Sequence, residues 1–191
     1  MEKIRTFVAI SLTPALVNQL DNLVSTMRPL ARGVRWVKPQ SVHLTLKFLG
    51  SLTSDELGKV FNGMEIAQEK YPEPFRIRVQ GTGCFPSERR PRVFWVGMGG
   101  DDIDKLISLQ ELIESELAGQ GFPAETRPFK PHLTVARIKE NRGLSVLLEK
   151  FLQFDFPPAE LPVEEIQVMR SELRPEGAVY SVQKTYKLKE V

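Results

Sequence analysis

A single cysteine, Cys84, stands among 191 residues, which excludes an internal disulfide or a multi-thiolate metal site and fits a reducing compartment. Only two histidines are present, so few side chains can act as general acid or base near neutral pH. No apolar run approaches the roughly 18 residues of a membrane span, and Glu2, Lys3 and Arg5 stand near the start with no long apolar stretch behind them; a cytoplasmic protein is expected. Charge of one sign is lacking too. The 26 Lys and Arg against 24 Asp and Glu leave a net charge of +2, too balanced for nucleic-acid binding by bulk charge, so any anion site must be local. Absent GxSxG, GxxxxGK[ST] and GxGxxG patterns remove the mechanical parts of serine-hydrolase, P-loop and Rossmann readings. What is present, 41% hydrophobic and 26% charged residues, suffices to bury a core.

No Ser/Gly linker divides the chain, and residues 1–191 read as one two-lobed unit in which helices and strands interleave. Residues 3–11 form an apolar strand, then Thr13-Pro14 supplies an N-cap and first helical residue for a helix carrying Leu16, Leu20, Leu23, Val24 and Met27. Strand residues 34–37 lead to the apolar run His43–Leu49, after which Thr53 and Glu56 make a capping box for a helix ending before Pro72. Strands at Phe75–Val79 and Val93–Val96 precede a third helix bearing Ile103, Leu106, Leu109, Ile113 and Leu117. A strand His132–Ile138, a short helix around Leu147–Leu152 and two strands near 162–170 and 178–188 complete the chain. Cys84 reads as a packed small residue and Trp95 as core.

Both histidines sit in the same tripeptide, His43-Leu44-Thr45 and His132-Leu133-Thr134, each followed by an aliphatic residue, Leu46 or Val135. Nine threonines in the chain put the chance of Thr two residues after both histidines at about 0.2%. Each copy also has a Lys-Pro approach, Lys38-Pro39 or Lys130-Pro131, which suggests an internal pseudo-repeat. On a strand, residues i and i+2 share a face, so each copy presents an imidazole beside a hydroxyl while its aliphatic residues anchor the other face. A lone histidine on an apolar strand is usually packed and satisfied; the duplication reverses that reading. Two facing copies suit in-line displacement at phosphorus, one histidine taking a proton from water and the other giving one to the leaving oxygen, with threonines on the non-bridging oxygens. No HxH, HExxH or cysteine partner completes a metal-ligand set.

Basic residues gather around both motifs. Arg28, Arg32, Arg35, Lys38 and Lys47 lie between 28 and 50 with no acidic residue, and 121–142 holds five basic and two acidic residues. Trp36, Phe48 and Phe85 are aromatics able to stack on a base.

With these residues in place the chain resembles the two-histidine phosphoesterases, specifically the RNA 2',3'-cyclic phosphodiesterases, also called 2'-5' RNA ligases. The matching segments are Arg5–Ile10, Trp36–Pro39 with His43–Gly50, Pro91–Gly97 and Pro128–Arg137. The resemblance implies a bilobal α+β fold with pseudo-two-fold symmetry, two antiparallel or mixed sheets with outer helices facing across a central cleft. It implies hydrolysis of RNA 2',3'-cyclic phosphate ends to 2'-phosphomonoesters without metal or cofactor; tRNA fragments and small cyclic nucleotides stay open as substrates, and a monomer away from membranes is expected. His43 would be the proton donor and His132 the proton acceptor, with Thr45, Thr134 and Arg137 on the phosphate; Phe48, as an aromatic able to stack on a base, is expected to contact the substrate. Strict alternation from His132 points Arg137 to the opposite face, so this carry-over requires a β-bulge. The same chemistry run backward is a 2'-5' RNA ligase; a non-catalytic RNA-end binder is the alternative of another class.

Overall fold

Period-two alternation builds the strands and 3.6-residue spacing the helices. The computed structural model describes residues 3–71, 73–174 and 177–188; Met1, Glu2 and Pro72, the expected stop of the second helix, lie outside them. The strands are β1 (Ile4–Ser11), β2 (Val34–Trp36), β3 (His43–Leu52), β4 (Phe75–Phe85), β5 (Val93–Gly99), β6 (His132–Ile138), β7 (Ala159–Val163), β8 (Glu165–Arg174) and β9 (Gly177–Lys187). The helices are α1 (Pro14–Met27), α2 (Ser54–Lys70), α3 (Ile103–Gly119) and α4 (Ser145–Leu152).

Two sheets result, ordered β3-β1-β8-β9 and β2-β6-β5-β4-β7, with every pairing among the described residues antiparallel. The α+β, two-sheet expectation holds. One detail is corrected: the apolar stretch expected as a single strand near 162–170 is two, β7 in the second sheet and β8 in the first, divided at Glu164.

Local signals place the helices. Thr13 Oγ1 accepts from the Leu16 amide at 3.3 Å, and Pro14 opens α1. At α2 the capping box closes in both directions, the Thr53 amide donating to Glu56 Oε2 at 2.7 Å and the Glu56 amide to Thr53 Oγ1 at 3.3 Å. Apolar faces of all four helices meet one face of each sheet in a continuous core that includes Leu20, Met64, Ile113 and Phe151 with Leu44, Leu46, Leu133 and Val135. Each motif strand is therefore anchored by its aliphatic residues, leaving the histidine side turned away from the helices.

A short crossover fixes the two motifs relative to each other. Strand β2 pairs with β6, and just beyond it the Val37 amide donates to the Val135 carbonyl at 2.9 Å. The chain then makes a one-turn 3-10 helix, Pro39–Ser41, and enters β3 in the other sheet. Strands β3 and β6 approach each other directly without belonging to one sheet.

Candidate active site

The two copies share more than sequence. In β3 the pairing with β1 skips a residue, Val8 facing Lys47 while Ala9 faces Thr45. In β6 the pairing with β5 skips the equivalent one, Phe94 facing Ala136 while Trp95 faces Thr134. Both motif strands thus carry a β-bulge at the same offset, placing two consecutive residues, Leu46-Lys47 and Val135-Ala136, on the core side. The outward positions become His43, Thr45 and Phe48 on β3 and His132, Thr134 and Arg137 on β6. The bulge needed to bring Arg137 to the His132 face is present, and Arg137 is close enough for its charge to act on that imidazole.

The same bulge removes Lys47 from the basic residues expected around the first motif. Its side chain is buried, ion-paired with Glu114 of α3, and donates to the Pro123 carbonyl at 2.9 Å. Gln110 steadies the arrangement, donating to Glu114 Oε1 at 3.1 Å and to the Leu46 carbonyl at 3.3 Å.

Each imidazole is held by its Nδ1. The His43 Nδ1 meets the Ser41 carbonyl at 3.1 Å and the His132 Nδ1 the Lys130 carbonyl at 2.7 Å, in each case two residues upstream. A carbonyl oxygen only accepts, so Nδ1 carries hydrogen in both rings and Nε2 is the basic nitrogen of the neutral form. The hydroxyls of Thr45 and Thr134 beside them have no hydrogen-bond partner among the described residues.

Aromatic side chains wall the imidazoles, and of these the sequence singled out Phe85 but neither Phe7 nor Tyr180. Phe7 stacks on His43 at 4.6 Å between centroids, and Tyr180 meets the same ring edge-on at 5.0 Å. Phe85 stands edge-on to His132 at 5.1 Å and contacts Trp95 at 5.2 Å. Trp95, expected in the core, instead lies over Gly83, where a Cβ would come within 2.2 Å of the indole. Trp36 packs toward the core, 6.5 Å from Phe94, so it is no base platform; Phe48, 68% exposed, remains available.

Burial pulls the His43 pKa down to about 4 against the opposing hydrogen bond to Ser41. Burial also lowers that of His132, opposed by the bond to Lys130 and assisted by the charge of Arg137. Burial thus favours the neutral form of both rings, in which Nε2 is the bare nitrogen. The outward faces converge: the Arg35 guanidinium of β2 ends 3.9 Å from where a Cβ on Gly177 of β9 would stand, so the two faces line one cleft. Among the described residues, no group of three or more His, Cys, Asp or Glu side chains is placed to share a metal ion. Cys84 is partly buried, and burial raises its thiol pKa, as for an unactivated packed thiol.

The family model of LigT-like phosphoesterases matches residues 10–95 and 100–180. The chain belongs to the LigT-like phosphoesterase family. An RNA 2',3'-cyclic phosphodiesterase of Methanothermobacter thermautotrophicus is 32% identical over 97% of this chain and 100% of its own. One from Thermus thermophilus is 34% identical over 97% and 90% respectively. Among solved structures, a Thermus thermophilus protein superposes with a TM-score of 0.75 at 32% identity, covering 96% of this chain and 97% of that one. Escherichia coli LigT in complex with 3'-AMP gives 0.78 at 25% identity, covering 99% and 100%. The LigT-like fold thus extends over essentially the whole chain, both motif strands included.

Proposed function

We propose that this LigT-like phosphoesterase hydrolyses 2',3'-cyclic phosphate ends of RNA to 2'-phosphomonoesters, with His43 and His132 as proton donor and acceptor. The observation that carries the reading is the duplicated motif, in which each imidazole is anchored through Nδ1 and turns Nε2 outward beside a threonine hydroxyl. The names of full-length relatives support the same substrate.

The neutral Nε2 of His132 takes a proton from water as the water oxygen bonds to phosphorus. The bond from phosphorus to O3' breaks in line, and protonated His43 gives its proton to O3', leaving the phosphate on O2'. Thr45 and Thr134 donate to the non-bridging oxygens, Arg137 adds a charge-assisted contact, and Phe48 supplies a face for the base. Arrival of the phosphate anion favours the imidazolium and loads the donor against the opposing effect of burial. The two imidazoles provide both proton transfers, and the two hydroxyls with Arg137 the anion contacts, so the scheme draws on no metal. One chain supplies both halves of the site, as a monomer of one two-lobed unit, and the single cysteine fits action in the cytoplasm.

The test uses a short RNA ending in a 2',3'-cyclic phosphate, excess EDTA, and mass analysis of the end group, with His43→Ala and His132→Ala alongside. Conversion to a 2'-phosphate is expected, each substitution slowing turnover by roughly 10²–10⁴-fold. Full activity of the double-alanine variant would overturn the mechanism. Bound but intact RNA would leave an end binder, and a joined product on adding a 5'-hydroxyl RNA would reveal the ligase.

A further inference from the structure

Directly across from Arg137, on the neighbouring strand, stands Arg35. Its flanking residues Val34 and Trp36 pack against the core, so Arg35 faces the cleft on the same side as Arg137, and it is exposed. Two guanidinium groups at directly opposed positions of an antiparallel pair repel each other at a backbone separation of about 5 Å. Among the described residues neither arginine has an acidic partner. The carboxylate at the end of β8, Glu172, is engaged by Arg170 at 3.2 Å and Arg174 at 3.1 Å. The Arg35 side chain extends across the cleft toward Gly177. A cationic pair with no acidic partner among the described residues is a site for an anion, and two cations side by side fit two successive phosphates of one strand. In the proposed reaction the scissile phosphate lies with the histidines, threonines and Arg137. Arg35 stands one strand further out, within reach of a phosphate that adjoins the scissile one.

We infer that Arg35 binds the phosphodiester on the 5' side of the terminal nucleotide, so that an RNA end is preferred over a free nucleoside 2',3'-cyclic phosphate. This rests on the hydrolytic reading above and names its substrate class. Arg35 is a specificity residue: it takes no part in the proton transfers, and its contact is made equally before and during the reaction.

The experiment compares a dinucleotide ending in a 2',3'-cyclic phosphate with the matching nucleoside 2',3'-cyclic monophosphate, which has no upstream phosphodiester, in the native chain, Arg35→Ala and Arg35→Lys. For Arg35→Ala, kcat/KM on the dinucleotide should fall about tenfold to a hundredfold, mostly through KM, while the mononucleotide value stays within about twofold and certifies the fold. Arg35→Lys should fall between, since it keeps the charge and loses the planar fork. The salt dependence of kcat/KM for the dinucleotide should weaken by about one unit of logarithmic slope in Arg35→Ala. Equal losses on both substrates would put Arg35 on the scissile phosphate and overturn the inference. No loss on either would overturn it as well. A native chain inert toward both substrates would instead bring down the hydrolytic reading, and this inference with it.

Discussion

The two motif strands solve one geometric problem with different materials. Both carry a bulge three residues past the histidine, and both anchor Nδ1 on a carbonyl two residues before it. Strand β6 is interior to its sheet, with β2 and β5 on either side, and a small buried Ala136 fits the inner side of its bulge. Strand β3 is an edge, paired only with β1, and the same position holds Lys47, tied through its ammonium to Glu114 of α3. At the outward position after the bulge one copy presents Arg137 and the other Phe48. The lesson is that backbone shape is shared between the copies, whereas side-chain chemistry is divided: one lobe adds a charge beside its histidine and the other an aromatic face.

That contrast can be broken most forcefully at the ion pair. Glu114→Ala leaves the Lys47 ammonium buried and unpaired and should cost about 3–5 kcal/mol in chemical unfolding, whereas Lys47→Met with Glu114→Met should recover most of the loss. A cost below about 1 kcal/mol for Glu114→Ala would show that the ion pair does not hold the β3 bulge. A smaller effect sharpens the division of chemistry. On the proposed mechanism Thr45→Val and Thr134→Val each remove one donor to the phosphate and should lower kcat about tenfold, with the larger loss at Thr45, because Arg137 would support the anion on the β6 side. A larger loss at Thr134 would contradict this.

The finest comparison is between the imidazoles. Hydrolysis through the free enzyme needs one histidine neutral and the other protonated, and burial disfavours the imidazolium in both. The bell of kcat/KM against pH should therefore centre below the ordinary histidine value of about 6.5. Phe7→Ala should let water reach His43, raise its pKa from about 4 toward 6.5 by NMR titration, and move the bell to higher pH without shifting the His132 resonance. A His43 titration unmoved by that change would show that burial by Phe7 is not the cause.

Much of the site was legible because it is local. The repeated His-x-Thr needs only the two-residue period of a strand, the start of β6 at His132 follows from the proline before it, and the α2 capping box is closed by residues three apart. What escaped depends on distant partners. The inward turn of Lys47 requires Glu114, 67 positions away, and the outward position of Trp95 requires a bare Gly83 on the adjacent strand. The split between β7 and β8 occurs inside one apolar stretch whose halves join different sheets, which periodicity cannot register. Arg137 was foreseen as needing a bulge, but alternation alone gave no means of deciding that it had one.

The crossover from β2 through Pro39–Ser41 into β3 has a mechanical corollary. One stretch of backbone is hydrogen-bonded to the strand of His132 and covalently continuous with the strand of His43. It ties the two motif strands to each other, and β9 also packs against the Pro39–Ser41 turn. The spacing of the two imidazoles is therefore set by a few residues of continuous backbone braced from both sheets, not by contacts between side chains across the gap.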